Sequence, residues 1–322
     1  YWIYNRKTAE MVPVSKNNQR LRNVKFSPDG KMVAYVREDN NLYTFEIGRQ
    51  RERQLTRTGT DVILNGHFGW VYEEEFSIYD AYRWSPNSQT IAYWEENQSR
   101  VPVFTLISEL ELYPVATEIR YPKAGQANPT MRIGVVKATG GATRWMDIGD
   151  NRDMYYPRIY WHSSEQLLVM RMRRLQNRWD LLICNPKSGK KKQGLMEMDE
   201  NGWVSVHDNY RFLEKDEIVW ISERLGYQHL HRHTLKGEEL AQVSNGQWEA
   251  TRIVHLDEER GVVYFMANKA SVAESHLYSV SFDGTGLKQL TTEKGNHSVQ
   301  FSSSGEYFVD SYSSVSQPSK IV

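Results

Sequence analysis

Hydrophobic residues occur along this chain in runs of four or five, each bounded by polar residues and turn-forming pairs. Runs of this length, rich in Val, Ile, Tyr, Phe and Trp, predict β-strands, and Asp-Gly, Asn-Gly and Ser-Gly pairs predict the turns between them. Long helical periodicity is nearly absent. Typical runs occupy positions 33–36, 42–45, 91–94 and 261–265. The pattern therefore predicts an all-β protein.

One turn sequence recurs and gives the strands a common register. Phe26-Ser27-Pro28-Asp29-Gly30 is matched by Trp84-Ser85-Pro86-Asn87-Ser88, and weaker copies follow later in the chain. The copies begin at positions 26, 84, 161, 212, 256 and 301, so that successive steps are 58, 77, 51, 44 and 45 residues. A strand that ends in this turn, a second strand of the Val-Ala-Tyr type and two further strands would form one four-stranded unit.

Units of this size favour a β-propeller. A lone four-stranded sheet cannot bury both of its faces, and repeats of about 40 to 60 residues are typical of blades that stack radially. The two long steps predict extra segments inserted in the early units. A β-sandwich of many hairpins is the alternative, although its strands would not share a repeated turn.

Both ends of the chain resemble interruptions of this pattern. The first fifteen residues look like the outer strands of a blade whose beginning is missing, with Tyr1-Trp2-Ile3-Tyr4 inside a strand. The Ser-rich segment 311–318 is expected to leave the last blade at a domain boundary, with another domain after it. We therefore interpret residues 1–322 as one partial propeller domain.

Composition narrows the function classes. Lys and Arg total 40, as do Asp and Glu, so the formal net charge of zero argues against a non-specific nucleic-acid or anionic-membrane binder. The single cysteine, Cys184, excludes an intrachain disulfide and a multi-cysteine zinc site. It lies in an apolar run, which predicts a buried, inert thiol. No apolar run of about 18 residues is present, so no segment is predicted to span a membrane.

A self-contained active site is not visible. The chain has no Gly-x-Ser-x-Gly nucleophile elbow, no Gly-x-x-x-x-Gly-Lys phosphate loop and no His-Glu-x-x-His pair. The most unusual chemistry is Trp70-Val71-Tyr72-Glu73-Glu74-Glu75-Phe76, inside a predicted insertion. On a helical turn Tyr72 and Phe76 would share a face, and the crowded carboxylates would need a cationic ligand or an arginine. A solvated acidic turn with an aromatic staple is the alternative.

A second cluster contains three histidines. His229-Leu230-His231-Arg232-His233 would place all three imidazoles on one face of a strand, where they could bind a divalent metal. No carboxylate or cysteine is spaced to complete such a site, so a polar strand face is the favoured interpretation. The sequence therefore predicts neither a metal site nor a cofactor.

Several segments resemble one family, the dipeptidyl peptidase IV group of prolyl-oligopeptidase-type serine peptidases. Residues 65–76 look like its double-glutamate motif, and the other segments follow in family order along the whole chain. They are Tyr121-Pro122-Lys123-Ala124-Gly125 with Asn128-Pro129, Arg174-Leu175-Gln176-Asn177, Gly202-Trp203-Val204, and Ser222-Glu223-Arg224 with Gly226-Tyr227 and His229-Leu230.

The resemblance implies a division of labour. In that family an eight-bladed propeller caps an α/β-hydrolase domain that carries the Ser-Asp-His triad, so this chain would be most of the propeller and none of the triad. The family removes N-terminal dipeptides, preferably Xaa-Pro or Xaa-Ala. Its glutamate pair binds the substrate α-ammonium, and the matching residues here are Glu74 and Glu75, whereas Glu73 is expected to cap the helix or face solvent.

The resemblance also sets expectations for partners and location. The partners would be a peptide N-terminus, the C-terminal hydrolase domain and, as in many relatives, a second copy of the protein. Absence of the mammalian cysteine-rich blades indicates a bacterial member, hence a periplasmic or secreted protein. The family's propeller arginine would precede Tyr1, and Val206-His207-Asp208 departs from the family pattern, so neither position is assigned a role.

Two other functions remain open on the residues alone. One is a non-catalytic propeller that binds peptides or proteins, which needs only exposed aromatic loops. The other is a carbohydrate- or metal-binding propeller that uses the aromatic residues or the alternating histidines.

Overall fold

The computed structural model describes residues 1–15 and 20–322. It forms two compact units, the first made of residues 1–193 and 200–204 and the second of residues 194–199 and 205–322. The chain passes from the first unit to the second within a strand. Apart from one short helix, the regular structure of both units consists of β-strands, which confirms the all-β prediction.

In its described residues, the first unit contains seventeen strands and the helix. Its elements are β1 (Trp2–Tyr4), β2 (Met11–Pro13), β3 (Arg22–Phe26), β4 (Met32–Val36), β5 (Leu42–Glu46), β6 (Arg51–Gln54), β7 (Ile63–Asn65), α1 (Trp70–Phe76), β8 (Tyr82–Trp84), β9 (Thr90–Asn97), β10 (Val103–Ser108), β11 (Val115–Arg120), β12 (Thr130–Lys137), β13 (Arg144–Trp145), β14 (Met154–Ser163), β15 (Gln166–Arg173), β16 (Arg178–Cys184) and β17 (Lys191–Met198), which ends in the second unit.

These strands pair as antiparallel neighbours. β3-β4-β5-β6 and β14-β15-β16-β17 are four-stranded sheets in chain order. A five-stranded sheet has the order β13-β12-β9-β7, with β8 also paired to β9. The hairpins β1-β2 and β10-β11 form separate two-stranded sheets.

The second unit repeats the four-stranded plan. Its strands are β18 (Tyr210–Leu213), β19 (Glu217–Ser222), β20 (His229–Thr234), β21 (Glu239–Gln242), β22 (Ala250–Asp257), β23 (Val262–Ala267), β24 (His276–Ser281), β25 (Lys288–Gln289), β26 (Asn296–Phe301), β27 (Phe308–Ser314) and β28 (Gln317–Ile321). They form the sheets β18-β19-β20-β21, β22-β23-β24-β25 and β26-β27-β28, each in chain order.

The repeated turn occurs in six of the sheets. Its copies begin within the last three residues of β3, β8, β14, β18, β22 and β26, which belong to six different sheets. In the first copy Ser27 N–H donates to Met32 O at 2.8 Å, and Gly30 N–H donates to Ser27 O at 2.9 Å. Gly30 has a φ of +68°, a left-handed conformation that glycine adopts without steric cost. The shared register therefore comes from one hydrogen-bonded turn.

The two long steps contain the predicted insertions. The first step adds β7 and α1 before β8, and the second adds the hairpin β10-β11 before β12. Between the insertions the chain returns to the sheet, where the run 91–94 of β9 is fully buried. Ala34, Val36, Leu42, Ile91 and Tyr93 belong to one apolar core in the first unit. The insertions thus leave the repeated core intact.

The second unit has its own apolar core. Val219, Val263, Phe265 and Tyr278 are among the residues buried in it, and strands of two sheets contribute. Strand residues of this kind, β-branched or aromatic, gain most from packing on a pleated surface. Within the described residues, no helix has the length and apolar character needed to cross a bilayer.

Candidate active-site helix

The acidic segment forms the helix α1, and glycine fixes where it begins. The N-cap is Gly69, whose N–H donates to Glu96 Oε2 at 2.9 Å. A Cβ at Gly69 would lie 1.8 Å from Gln98 Nε2, so no larger residue fits without displacing that side chain. Gln98 Nε2 in turn donates to Glu96 Oε1 at 2.7 Å. The start of α1 is therefore attached to strand β9 and the residue that follows it.

Glu96 is a fully buried carboxyl group beneath this helix. Burial, which disfavours the charged form, raises its pKa to about 7, although the Gly69 and Gln98 hydrogen bonds oppose the shift. The group is therefore partly protonated at neutral pH. An acidic residue at this end of a helix is also favoured by the helix dipole.

The inner face of α1 packs on aromatic rings. Tyr72 and Phe76 are buried, as the i,i+4 spacing predicts, with ring centroids 5.3 Å apart. Phe68 stacks on Tyr72 at 5.0 Å, and Tyr155 meets Phe76 edge-on at 5.0 Å. The Tyr72 hydroxyl accepts a hydrogen bond from Tyr156 N–H at 2.9 Å. These ring contacts and the hydrogen bond to Tyr72 together fix the orientation of the short helix α1.

The three glutamates of α1 lie in different environments. Glu73 is half-buried, and desolvation raises its pKa, opposed by the charge of Arg22. Glu73 does not cap the helix, because the N-cap is Gly69 and α1 has no side-chain cap, and the Glu73 side chain is only partly open to solvent. Glu74 and Glu75 are both exposed. Neither forms an ion pair among the residues that the structure describes.

Glu75 is held in place by a neutral partner. Gln176 Nε2 donates to Glu75 Oε1, and Gln176 itself is buried. The backbone of Gln176 is fixed at both ends, because its N–H donates to Arg173 O at 2.8 Å and its carbonyl accepts from Val204 N–H at 2.8 Å. The glutamine orients the carboxylate without neutralising its charge.

Other segments of the resemblance converge on the same helix. Tyr121 packs on Trp70 with ring centroids 4.2 Å apart. Asn128 Nδ2 donates to the Tyr155 hydroxyl at 2.7 Å, and Arg174 donates to Gln126 O at 2.6 Å. Four segments that are far apart in sequence, around residues 70, 121–129, 174–177 and 202–204, are therefore neighbours in the first unit.

The last segment of the resemblance, residues 222–230, belongs to the second unit and is described separately. Ser222 Oγ donates to Glu197, and Arg224 lies 3.8 Å from Glu197 Oε1. Val206-His207-Asp208 is the segment that departs from the family pattern and has no predicted role. His207 Nε2 lies 2.9 Å from Ile221 O, and its Nδ1 accepts from Asn209 N–H at 3.2 Å. These contacts are structural.

The three alternating histidines do not behave alike. His229 contacts Ser244 Oγ and Gly246 O, both at 3.0 Å, so both of its nitrogens have partners. His231 Nδ1 lies 3.2 Å from Glu239 Oε1 on β21. The carboxylate that the sequence spacing did not reveal is therefore present next to this strand. Cys184 is buried as predicted, and desolvation raises the pKa of its thiol to about 12.

Sequence reasoning missed three residues that support these clusters. Gln176 lies inside a segment of the family resemblance, 174–177, but nothing in the sequence distinguishes it from its neighbours. Glu96 belongs to the strand run 90–97, where an acidic pair at the end of an apolar strand could have indicated a buried carboxyl group. Glu239 comes opposite His233 through a register shift between Arg232 and His233, which no sequence pattern announces.

Comparisons with known proteins place the chain in one family. The profile described as "Dipeptidyl peptidase IV (DPP IV) N-terminal region" matches residues 1–319. The chain is 31% identical over 352 residues to a probable dipeptidyl-aminopeptidase B of Emericella nidulans, covering 99% of this chain and 39% of that protein. A probable dipeptidyl peptidase 4 of the same organism is 28% identical, with 99% and 44% covered.

Two solved structures of dipeptidyl peptidases have the same fold as this chain. The crystal structure of Porphyromonas gingivalis dipeptidyl peptidase 4 superposes with a TM-score of 0.92 at 28% identity, over 99% of this chain and 46% of that one. A putative dipeptidyl aminopeptidase IV from Bacteroides ovatus has a TM-score of 0.81 at 24% identity, over 99% and 47%, and supports the fold alone.

These observations define the class as an all-β protein of the β-propeller type, built from four-stranded blades. The chain belongs to the family of dipeptidyl peptidase IV N-terminal regions. It spans less than half the length of the relatives that it matches.

Proposed function

We propose that this chain is the substrate-gating propeller of a dipeptidyl peptidase IV-like serine exopeptidase that releases N-terminal Xaa-Pro or Xaa-Ala dipeptides. Glu74 and Glu75 bind the α-ammonium of the substrate. The catalytic triad lies in an α/β-hydrolase domain elsewhere in the full-length protein. The names of the relatives support the activity, and the geometry of α1 supports the role of the two glutamates.

The observation that carries this proposal is an acidic pair without a cation. Glu74 and Glu75 are exposed neighbours on a helix whose other face is packed among aromatic rings. Adjacent helical positions point about 100° apart, so a cation between the two side chains can contact both carboxylates. Crowded carboxylates repel one another, and an ammonium group relieves that repulsion through charge-assisted hydrogen bonds.

Because the two carboxylates are held rigidly, they can fix the distance between the substrate N-terminus and the bond that is cleaved. The aromatic anchors and the Gly69 cap fix the height of α1, and Gln176 fixes the Glu75 carboxylate. A substrate bound by its N-terminus then presents one particular peptide bond to the nucleophile, because the distance from the ammonium is constant. Positioning of this kind contributes to rate through orientation rather than through chemistry.

The test uses the full-length enzyme with Glu74→Gln and Glu75→Gln, and Glu73→Gln is the matched control on the same helix. Removing one partner of a charge pair that substrate binding buries costs about 2 to 5 kcal/mol, so kcat/KM for an Xaa-Pro p-nitroanilide should fall at least about thirtyfold for each of the first two variants. The control should stay within about threefold of the wild type. Unchanged kcat/KM in both variants would refute the assignment. Peptide binding without turnover by the wild type would favour the non-catalytic alternative.

We propose that a homodimer also forms, with the hairpin β10-β11 contributing. Among the strands that the structure describes, β10 and β11 pair only with each other, and the tip of the hairpin carries Leu110 and Leu112, which are 95% and 92% exposed. A two-stranded hairpin with an apolar tip is marginally stable alone and gains from a partner surface. Leu110→Asp with Leu112→Asp should convert a dimer to monomers in sedimentation, and an unchanged dimer would exclude the hairpin tip. We further propose a periplasmic or secreted location, by analogy with bacterial relatives.

A further inference from the structure

The sheet β18-β19-β20-β21 contains two buried imidazoles that break the pattern of its repeats. In three sheets the first or second residue of the third strand is a leucine whose N–H donates to a hydroxyl oxygen at 2.9 Å. These pairs are Leu42 with Thr56, Leu230 with Ser244, and Leu277 with Thr291. The shared contact makes the residues that follow each leucine structurally equivalent.

Two of these strands have apolar or aromatic residues at the equivalent positions. In β5 the first and third residues after the leucine are Tyr43 and Phe45. In β24 they are Tyr278 and Val280. In β20 the same positions are His231 and His233, which are 1% and 2% exposed. A position that elsewhere supports the apolar core here carries polar rings.

The polar atoms of these rings are largely unsatisfied. His231 Nε2 and both ring nitrogens of His233 are buried and have no partner at good hydrogen-bond geometry within the described part of the chain. The backbone of Gly237 acts on the His233 ring, but it is the smallest of the influences on that group. Buried polar atoms without partners destabilise a fold, and their presence requires an explanation. Burial lowers the pKa of both histidines, which keeps the rings neutral and their lone pairs available.

A carboxylate stands beside the two rings. Glu239 lies opposite His233 because a register shift between Arg232 and His233 brings it there in place of Leu240. Its Oε1 is 3.2 Å from His231 Nδ1. One nitrogen from each histidine and one oxygen of Glu239 lie within 4.8 Å of one another. The Glu239 side chain is about half exposed, so solvent reaches the cluster from this side.

We propose that His231, His233 and Glu239 form a zinc-binding site. Two neutral imidazoles and one carboxylate are a common ligand set for Zn²⁺, with metal–ligand distances of about 2.0 to 2.2 Å, so small side-chain adjustments bring all three atoms into range. With three protein ligands, a tetrahedral ion completes its shell with a water molecule. The bound ion would join the neighbouring strands β20 and β21.

The surrounding charges permit a divalent cation. Arg224 is the positive group that acts on both histidines. Its guanidinium lies near Glu197 and over the Trp220 ring, at 4.9 Å from the ring centroid. Glu197 thus offsets Arg224, and the Glu239 carboxylate remains for the metal. Hard oxygen-only cations such as Mg²⁺ and Ca²⁺ are poorly matched to imidazole ligands.

The test is zinc titration of the full-length protein by calorimetry after treatment with EDTA, with a Co²⁺ absorption spectrum as a second readout. The variant His231→Tyr with His233→Val places the residues of β24 in β20, so it removes the ligands while following the protein's own packing. We expect wild-type affinity in the micromolar range or tighter, and loss of at least about a hundredfold in this variant.

A second pair of variants keeps the test valid if that double variant fails to fold. Glu239→Gln should weaken zinc binding at least about tenfold, whereas Glu238→Gln, a change of the same charge one residue away, should alter it less than about threefold. Equal zinc affinity in the wild type and Glu239→Gln would overturn the site. So would a wild-type protein that binds no zinc at 100-fold excess, or intact binding in the folded double variant.

Discussion

The glutamates of α1 and the histidines of β20 are the two groups of residues proposed here to bind ligands, and they depart from the repeat in different ways. α1 lies in an insertion before β8, and its carboxylates are exposed. The histidines occupy ordinary positions of a blade strand and are buried. The glutamates are therefore added to the repeat by an insertion, whereas the histidines replace core residues of the repeat.

The difference extends to how each group is supported. Glu75 is oriented by Gln176, and the helix beneath it is anchored by aromatic contacts and by Glu96. The unsatisfied atoms of His231 and His233 have no such partners among the described residues. The comparison teaches that the two proposals rest on different observations: the first on a supported, exposed acidic pair, and the second on buried nitrogen atoms without hydrogen-bond partners.

The largest expected effect concerns the base of α1. The pKa of Glu96 is raised to about 7, against a usual value near 4.5, so between these pH values the folded state holds a proton that the unfolded chain releases. The free energy of unfolding contributed by this group therefore falls as pH rises through that window. We expect Glu96→Gln to match the wild type near pH 4.5 and to exceed it by about 3 kcal/mol at pH 8, measured by urea unfolding. A difference that does not change with pH would show that Glu96 is not the buried acid described.

The second effect sharpens the contrast at β20. Replacing His231 by Tyr and His233 by Val removes buried polar atoms that lack partners, so in EDTA the free energy of unfolding should rise by about 2 kcal/mol. Zinc at about 100 times its Kd should stabilise the wild type by about 2.7 kcal/mol and leave this variant unaffected. A variant less stable than the wild type in EDTA would mean that the imidazoles are satisfied within the fold.

A smaller effect tests the hold on Glu75. Gln176→Leu removes the hydrogen bond to the carboxylate while filling similar space, and a bond to a charged group contributes about 1.5 kcal/mol or more. We expect kcat/KM of the full-length enzyme to fall about tenfold. In a Glu75→Gln background the same change should cost less than about threefold, since the oriented charge is already gone. Equal losses in both backgrounds would indicate a general structural effect.

Much of the fold could be predicted from sequence because the repeat is local. The turn after Phe26 closes with hydrogen bonds between residues 27, 30 and 32, so its chemistry is readable from neighbouring residues. The insertions were evident from the two long steps of the register. For Trp70–Phe76 the sequence offers a helical turn, on which Tyr72 and Phe76 share a face, beside a solvated acidic turn, and the structure has the helix. The signals of the turn and of α1 lie within a few residues of the features themselves, and the insertions show in the spacing of the repeat.

The supporting contacts could not be predicted because they join distant parts of the chain. Gln176 is 101 residues from Glu75, and Glu96 is 27 residues from Gly69. Glu239 meets His233 only through a register shift, without which Leu240 would occupy that place. Pairings of this kind depend on which strands become neighbours and on single-residue bulges, and neither is encoded in a local pattern.

The most direct test of the account compares an Xaa-Pro substrate with its desamino analogue, which lacks only the α-ammonium. For the wild-type full-length enzyme we expect kcat/KM to be at least about thirtyfold higher for the amino substrate, which corresponds to about 2 kcal/mol or more. In Glu74→Gln and Glu75→Gln this preference should shrink to a few-fold, with little change for the analogue. A preference that survives in both variants would contradict the claim that these two glutamates bind the substrate N-terminus.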